Sequence, residues 1–207
     1  MVSEIICSLI NSAAIVFAAL VARYGITSWI HEFKGKRKIE VAEDALEHFY
    51  KVRDAIAYMR NPISYGDEGT KREVAEKETN VEKRARDAAN VVYERHNKHI
   101  ETFNKLYAMR YRFMARIGKE KAEPFEQIQK VVNEILIAAQ MLAHLWAKQQ
   151  RRHIPETTEK LQQSVDKFES IFWYSGSEDD INKRVAKAIA DIEQTCNNII
   201  MKTEQKE

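Results

Sequence analysis

Three histidines are the side chains that come closest to metal chemistry in this sequence. His96 and His99 are three positions apart, so on a helix they share one face, and His48 lies in an earlier helical stretch that could pack nearby. Grouped imidazoles bind zinc or iron, yet the chain contains no Glu-x-x-His and no His-Glu-x-x-His. We therefore keep the three as weak metal candidates, expect no cofactor, and predict that one or both of His96 and His99 fill a partly polar seam between helices.

A charged pair is the next candidate. Arg110 occupies an apolar stripe between Leu106 and Phe113, and Glu134 lies in the most apolar downstream segment. A charge placed there needs a partner, because burying it alone is costly. We predict a buried ion pair between Arg110 and Glu134, with Arg53 as the alternative to Arg110, and expect it to specify helix register.

The segment 105–121 interleaves aromatic with basic side chains, as surfaces that bind nucleic acid or anionic lipid do. On a helix, however, Tyr107, Tyr111 and Phe113 would face the core while most basic residues face outward. A solvated face is therefore the favoured interpretation, and contact with a membrane surface or with nucleic acid is the alternative. The net charge of +2, from 33 basic and 31 acidic residues, does not predict a nucleic-acid partner.

No sequence motif specifies a reaction. The chain has no phosphate-cradling glycine loop, no Gly-x-Ser-x-Gly and no zinc-ligand spacing, and its two cysteines, Cys7 and Cys196, do not form a disulfide framework. We predict no catalytic residue. An enzyme of unknown class is kept only as an alternative.

The elements around these residues begin with an uncharged stretch, Ile5 to Ala22, that reaches about 27 Å as a helix and predicts a membrane span. A cleaved signal peptide and a buried core helix are the alternatives. The first four residues carry no basic side chain, and Leu20 would stand at −3 of the best cleavage site, so an uncleaved anchor is favoured. Polar residues in the span that could form a helix interface are Ser8, Asn11 and Ser12.

Charge asymmetry orients this span. Basic residues follow it and none precedes it, which places the amino terminus outside and the body in the cytoplasm. The residues predicted at the membrane surface are Arg23, Trp29, Lys34, Lys36, Arg37 and Lys38.

The remaining chain, with six glycines and three prolines in the whole sequence, predicts an all-α protein. We expect a transmembrane anchor with its exit (1–33), an elongated antiparallel helical bundle of about five helices (34–202) and a frayed tail (203–207).

Within the bundle we expect one helix after Gly35, an unbroken helix over 80–117, a central buried helix over 125–152, a shorter one after Pro155, and a last one capped by Ser177. The central helix is apolar enough that a second membrane span is the alternative. The segment 63–79 predicts an exposed loop, and the aromatic cluster Phe172, Trp173 and Tyr174 is either a partner patch or a plug at the end of the bundle.

Four segments, at 35–56, 109–128, 131–147 and 171–173, resemble an uncharacterised bacterial family of small proteins with one N-terminal span and a helical body. The resemblance implies an anchor in a bacterial inner membrane. It implies no activity, so no functional residue is carried over.

The leading functional hypothesis is a non-catalytic interaction or sensing module at the membrane, with the lipid bilayer and a protein partner or a second copy as partners. A membrane-acting effector of the stress or phage-defence type, oligomerising through its span, is the alternative from another class.

Overall fold

The computed structural model describes the backbone of residues 2–151, 155–176 and 178–204, and the side-chain surroundings of residues 14–149, 159–176 and 178–202. These residues form helices and connecting segments without a β-strand, which confirms the all-α prediction. The helices are α1 (Val2–Met59), α2 (Asn80–Lys98), α3 (Ile100–Arg116), α4 (Glu123–Arg151), α5 (Pro155–Phe172) and α6 (Asp180–Glu204), with a short 3₁₀ turn at Lys119–Lys121.

The first helix, α1, joins the predicted span to the body without interruption. Its 58 residues extend about 87 Å at the usual helical rise. The prediction of a separate helix after Gly35 is therefore wrong. An internal glycine costs a helix only about 1 kcal/mol, and no proline occurs before Pro62, so the flanking helix formers carry α1 through both Gly25 and Gly35.

The body half of α1 buries one face. Ala42, Phe49, Val52, Ile56 and Met59 are almost completely buried, as their helical spacing predicts. This face packs against α3 and α6, so the same helix that forms the predicted span also forms part of the hydrophobic core.

The predicted helix over 80–117 is instead two helices, because the chain bends at His99. The backbone of His99 is non-helical, with φ −111° and ψ 12°, and its N–H donates to His96 O at 3.0 Å. On either side of the bend the packing changes, since α2 lies chiefly against α4 and α3 lies chiefly against α1.

The central position predicted for α4 is supported by its contacts with α2, α5 and α6. Ile128, Ile135 and Leu142 on its inner face have no solvent exposure. The outer face is not covered, however, because Ile137 is 54% exposed and Met141 38%. Within the described residues only α1 has the length and apolarity of a membrane span, so the alternative of a second span over α4 gains no support.

The last helix, α6, begins two residues later than the sequence pattern predicts. Asp179 caps it, since the N–H of Asn182 donates to Asp179 Oδ1 at 2.9 Å and Asp180 is the first helical residue. The predicted cap Ser177 lies outside the described residues, as does most of the predicted tail 203–207. Further along α6, Cys196 is buried, and burial raises the pKa of its thiol to about 12.

Candidate functional site

From Ala14 to Lys34, α1 is exposed on all sides. Every described side chain from Ala14 to Lys34 is exposed, including Phe17 at 69% and Leu20 at 59%. A window of eighteen residues in this part of α1 has a mean hydropathy of 1.3 and none of it is buried. Leaving large apolar side chains in water costs about 1.5 to 3 kcal/mol each, so this surface needs a cover.

This apolar surface does not end at Arg23, where the uncharged stretch ends. Tyr24, Ile26 and Trp29 are more than half exposed, and Phe33 is 49% exposed. From Ile5 to Phe33 the helix extends about 43 Å, which matches a bilayer with its two headgroup regions. The N-terminal helix is thus long and apolar enough to span a membrane, by length and composition.

Where this apolar surface ends, aromatic side chains are followed along α1 by basic ones. The rings of Trp29 and Phe33 stack with centroids 5.7 Å apart, and the guanidinium of Arg37 lies 5.5 Å from the Phe33 ring. Lys36 pairs with Glu32 at 2.6 Å. All six predicted membrane-surface residues are exposed, namely Arg23, Trp29, Lys34, Lys36, Arg37 and Lys38.

A cleft of about 1070 Å³ lies beside this exit. Three elements that are distant in sequence form it: α1 over 28–38, the 3₁₀ turn and the end of α6. Its charged walls are five lysines and one glutamate, and polar uncharged side chains complete it. The residues that line it are Ser28, His31, Glu32, Lys34, Gly35, Lys36, Lys38, Lys121, Gln194, Thr195, Asn198, Ile199 and Lys202.

Packing between α1 and α6 holds the walls of this basic cleft together. Ile192 and Cys196 of α6 are fully buried in the core that includes Val41 and Ala45 of α1. Next to them the hydroxyl of Tyr50 donates to Glu193 Oε1 at 2.8 Å, and this hydrogen bond with partial burial raises the pKa of Tyr50. The position of the α6 end along α1 is therefore set by core contacts and not by the lysines.

The structure does not pair Arg110 with Glu134. Arg110 binds Glu126, one turn into α4, and Glu134 binds both terminal nitrogens of Arg184 at 2.6 and 2.7 Å. Arg53, the alternative, binds its neighbour Asp54. The predicted ion pair is wrong because α6, whose docking the sequence pattern does not show, supplies a closer partner for Glu134.

The histidines lie apart in three different contacts. His96 stacks on Phe103 with centroids 4.9 Å apart, His99 meets Tyr58 edge to face at 5.3 Å, and His48 Nδ1 lies 2.7 Å from Asp44 O. Burial lowers the pKa of His96. Among the described residues no three His, Cys, Asp or Glu side chains are grouped as a metal site would need.

In the aromatic cluster at the end of α5, Phe172 is fully buried against Trp146 and Trp173, with ring centroids 5.5 and 4.2 Å away. Trp173 is half-buried and Tyr174 is 50% exposed. Phe172 thus acts as a plug and cannot contact a partner, which corrects its place in the predicted patch.

The predicted span interface consists of Ser8, Asn11 and Ser12, and the side chains of these three residues lie outside the described residues.

Along 105–121 the predicted separation of aromatic from basic residues holds only in part. Phe113 is buried, and burial raises the pKa of the half-buried Tyr107 to about 12. Tyr111, however, is 70% exposed. Arg112 pairs with Asp44 at 2.7 Å, so part of this basic surface is already neutralised within the chain.

Two fully buried arginines were not predicted. Arg60 donates to Ile171 O, Ser170 O and both carboxylate oxygens of Asp179, with distances of 2.7 to 2.9 Å. Arg60 is four residues after Ile56, so it continues the buried stripe of α1. A charged residue on this apolar stripe is the sequence feature that could have identified it.

Arg95 is the second buried arginine, and it holds the start of the loop 63–79. It donates to Asn61 O and Ile63 O and pairs with Glu68 at 2.7 Å. The hydrogen bond from Arg95 lowers the pKa of Glu68 to about 2. The loop is exposed over most of its length, as predicted, but it is tied to the body at defined points.

Comparison with models of protein families, with curated proteins and with solved structures finds no match to this chain. The function is therefore inferred from the residues themselves and from their geometry.

Proposed function

We propose that this protein is a membrane-anchored helical body that acts as a non-catalytic interaction or sensing module. The observation that carries the proposal is the continuity of α1, which is an exposed apolar helix from Ala14 to Phe33 and contributes to the hydrophobic core from Val41 to Met59. A lipid bilayer covers the exposed half. The body is then held at the membrane by a helix that shares its hydrophobic core, without a flexible linker.

The body faces the cytoplasm at a bacterial inner membrane, and the amino terminus faces outward. Two features support this orientation: the basic residues from Lys34 to Lys38 lie only on the body side of the apolar surface, and stacked Trp29 and Phe33 separate the two. The short connection between α4, which ends at Arg151, and α5, which begins at Pro155, favours an antiparallel arrangement of these two helices, which pack against each other.

A protein partner or a second copy of the chain covers the outer face of α4. Ile137 and Met141 are four residues apart, so they form one exposed apolar strip on the central helix. The strip lies on a helix that three other helices hold in place, and a rigid surface binds a partner with little loss of conformational entropy.

Membrane extraction tests the anchor. The full-length chain is expected to stay with membranes after alkaline carbonate treatment. Ala14→Arg combined with Phe17→Arg is expected to release it, since an arginine near the centre of a span costs about 2.5 to 3.5 kcal/mol. Release of the unmodified chain by carbonate would contradict the proposal.

The control for this extraction is Ile63→Arg combined with Val74→Arg, which alters two loop side chains that are 56% and 54% exposed. This variant is expected to stay in the membrane fraction.

The orientation is tested by cysteine labelling. Lys130→Cys in a Cys7→Ser background should react with an impermeant maleimide in inverted vesicles and not in spheroplasts. The opposite labelling would reverse the topology.

Photo-crosslinking tests the partner surface. A photoreactive residue at position 137 of the full-length chain is expected to give a discrete crosslinked species in the native membrane. The same residue at the exposed loop position 74, which does not lie on α4, is the control. Equal crosslinking at both positions, or none at 137, would contradict a partner at this face.

A further inference from the structure

We propose that the basic cleft between the exit of α1 and the end of α6 binds the phosphate group of an anionic phospholipid. This inference rests on the proposed membrane anchor and adds to it a built headgroup site. The general attraction of Lys34 to Lys38 to a charged surface needs only α1, whereas this cleft also needs the 3₁₀ turn and α6.

The charges of the cleft are unbalanced. Among the described residues that line it, the only carboxylate belongs to Glu32, which Lys36 already engages at 2.6 Å. Within the part of the chain that the structure describes, Lys34, Lys38, Lys121 and Lys202 have no acidic partner. Like charges that converge in a cleft raise its positive potential and favour an anion there.

Neutral donors complement these charges. The side-chain amides of Gln194 and Asn198 line the same cleft, and their N–H groups suit phosphate oxygens, which only accept hydrogen bonds. The cleft volume of about 1070 Å³ exceeds what an isolated phosphate fills and leaves room for the glycerol of a headgroup.

The place of the cleft along α1 favours a lipid over a soluble phosphate. Ser28 and His31, at the edge of the cleft, lie in the same turns of α1 as Trp29 and Phe33. These two exposed aromatic residues mark the end of the apolar surface. A lipid whose phosphate enters the cleft can therefore lay its acyl chains along the exposed apolar half of α1. Basic pockets at this depth are where anionic headgroups bind in other membrane proteins.

Lipid titration by native mass spectrometry of the full-length chain in dodecyl maltoside tests the site. The probes are dioleoyl phosphatidylglycerol, dioleoyl phosphatidylcholine and inorganic phosphate. We expect phosphatidylglycerol to bind more tightly than the zwitterionic lipid. Lys121→Gln combined with Lys202→Gln should weaken it about 30-fold, from the usual contribution of two basic residues beside an anionic surface.

A matched control separates a built site from diffuse charge. Lys119→Gln combined with Lys187→Gln removes the same charge from the same two elements at exposed positions outside the cleft, and it should leave the affinity unchanged. Because all four lysines are exposed, each variant should unfold at the same temperature as the unmodified chain without lipid.

Equal losses in the two double variants would overturn the cleft in favour of general electrostatics. Full displacement of phosphatidylglycerol by inorganic phosphate would overturn the lipid assignment and identify a site for soluble phosphate. Neither result depends on membrane insertion, since the micelle accommodates the apolar helix in every arm. Failure of the anchor itself would show only in the carbonate extraction.

Discussion

Arg60 and Asp179 are 119 residues apart in sequence and form a salt bridge of 2.7 Å, with neither side chain exposed to solvent. Arg60 directly follows the last residue of α1, and Asp179 caps α6. The N–H of Tyr174 also donates to Arg60 O at 2.9 Å. This pair therefore joins the far end of the anchor helix to the α5–α6 connection.

Removal of one partner from this pair should strongly destabilise the body. Arg60→Met is expected to lower the free energy of unfolding by about 3 to 5 kcal/mol, because it leaves the Asp179 carboxylate buried without its counter-charge. Chemical denaturation of the full-length chain in detergent, followed by circular dichroism, measures the change.

Lys183→Met is the control for Arg60→Met. Lys183 pairs with Glu178 at the start of α6, the helix that Asp179 caps, but both of these side chains are more than half exposed. Its effect should stay below about 1 kcal/mol. Similar losses in the two variants would show that burial of Arg60 has no special role.

Stability should fall in acid through Glu68. The hydrogen bond from Arg95 lowers the pKa of this carboxyl from 4.5 to about 2 in the folded chain. The ionised form therefore favours folding, and its contribution is complete above pH 4.5 and is lost as the pH falls toward 2.

Denaturation midpoints between pH 7 and pH 2 measure this loss, and Glu68→Gln should flatten the acid limb of the curve. Asp179 should contribute to the same loss of stability in acid. Burial alone would raise its pKa, but Arg60 and the backbone N–H groups of Ser175 and Asn182 lower it. An unchanged acid limb in the Gln variant would contradict the role of Glu68.

Gly69 should not accept a side chain. Its φ is +87°, and a Cβ would lie 2.0 Å from Asp87 O and 2.9 Å from Val91 Cγ2, so Gly69→Ala requires the loop to leave α2. We expect a loss of more than about 2 kcal/mol in the free energy of unfolding. Gly66→Ala is the matched control, because Gly66 also has positive φ, +59°, but open space around it. A smaller loss at Gly69 than at Gly66 would contradict the close packing.

Glu134 should couple to Arg184 and not to Arg110. Both members of the Glu134 and Arg184 pair are about 40% exposed, so a double-mutant cycle with Glu134→Gln and Arg184→Met is expected to give about 0.5 to 1 kcal/mol. The cycle with Arg110→Met should give no coupling energy beyond error. Coupling in the second cycle alone would restore the pairing predicted from the sequence.

Helical periodicity predicted most of the core correctly. The stripe of Ala42, Phe49, Val52, Ile56 and Met59 is buried as expected, and so is the inner stripe of α6 from Ile181 to Cys196. Periodicity succeeds here because a residue's face on a helix depends only on neighbours within two turns. It failed at His99, where the break in the helix accompanies a change of packing partner, and at Gly35, where the flanking helix formers outweigh the cost of one glycine.

The sequence by itself determined the all-helical class, the exposed apolar N-terminal segment and the basic residues that follow it, because composition and local spacing set these properties. Only the tertiary structure decided which charges meet. Arg60 with Asp179, Glu134 with Arg184, and the lysines of α1 with Lys202 come together through the docking of α6 on α1 and α4, and Lys121 joins them through the packing of α3 on α1. That docking is a contact between distant segments, and no local pattern encodes its register.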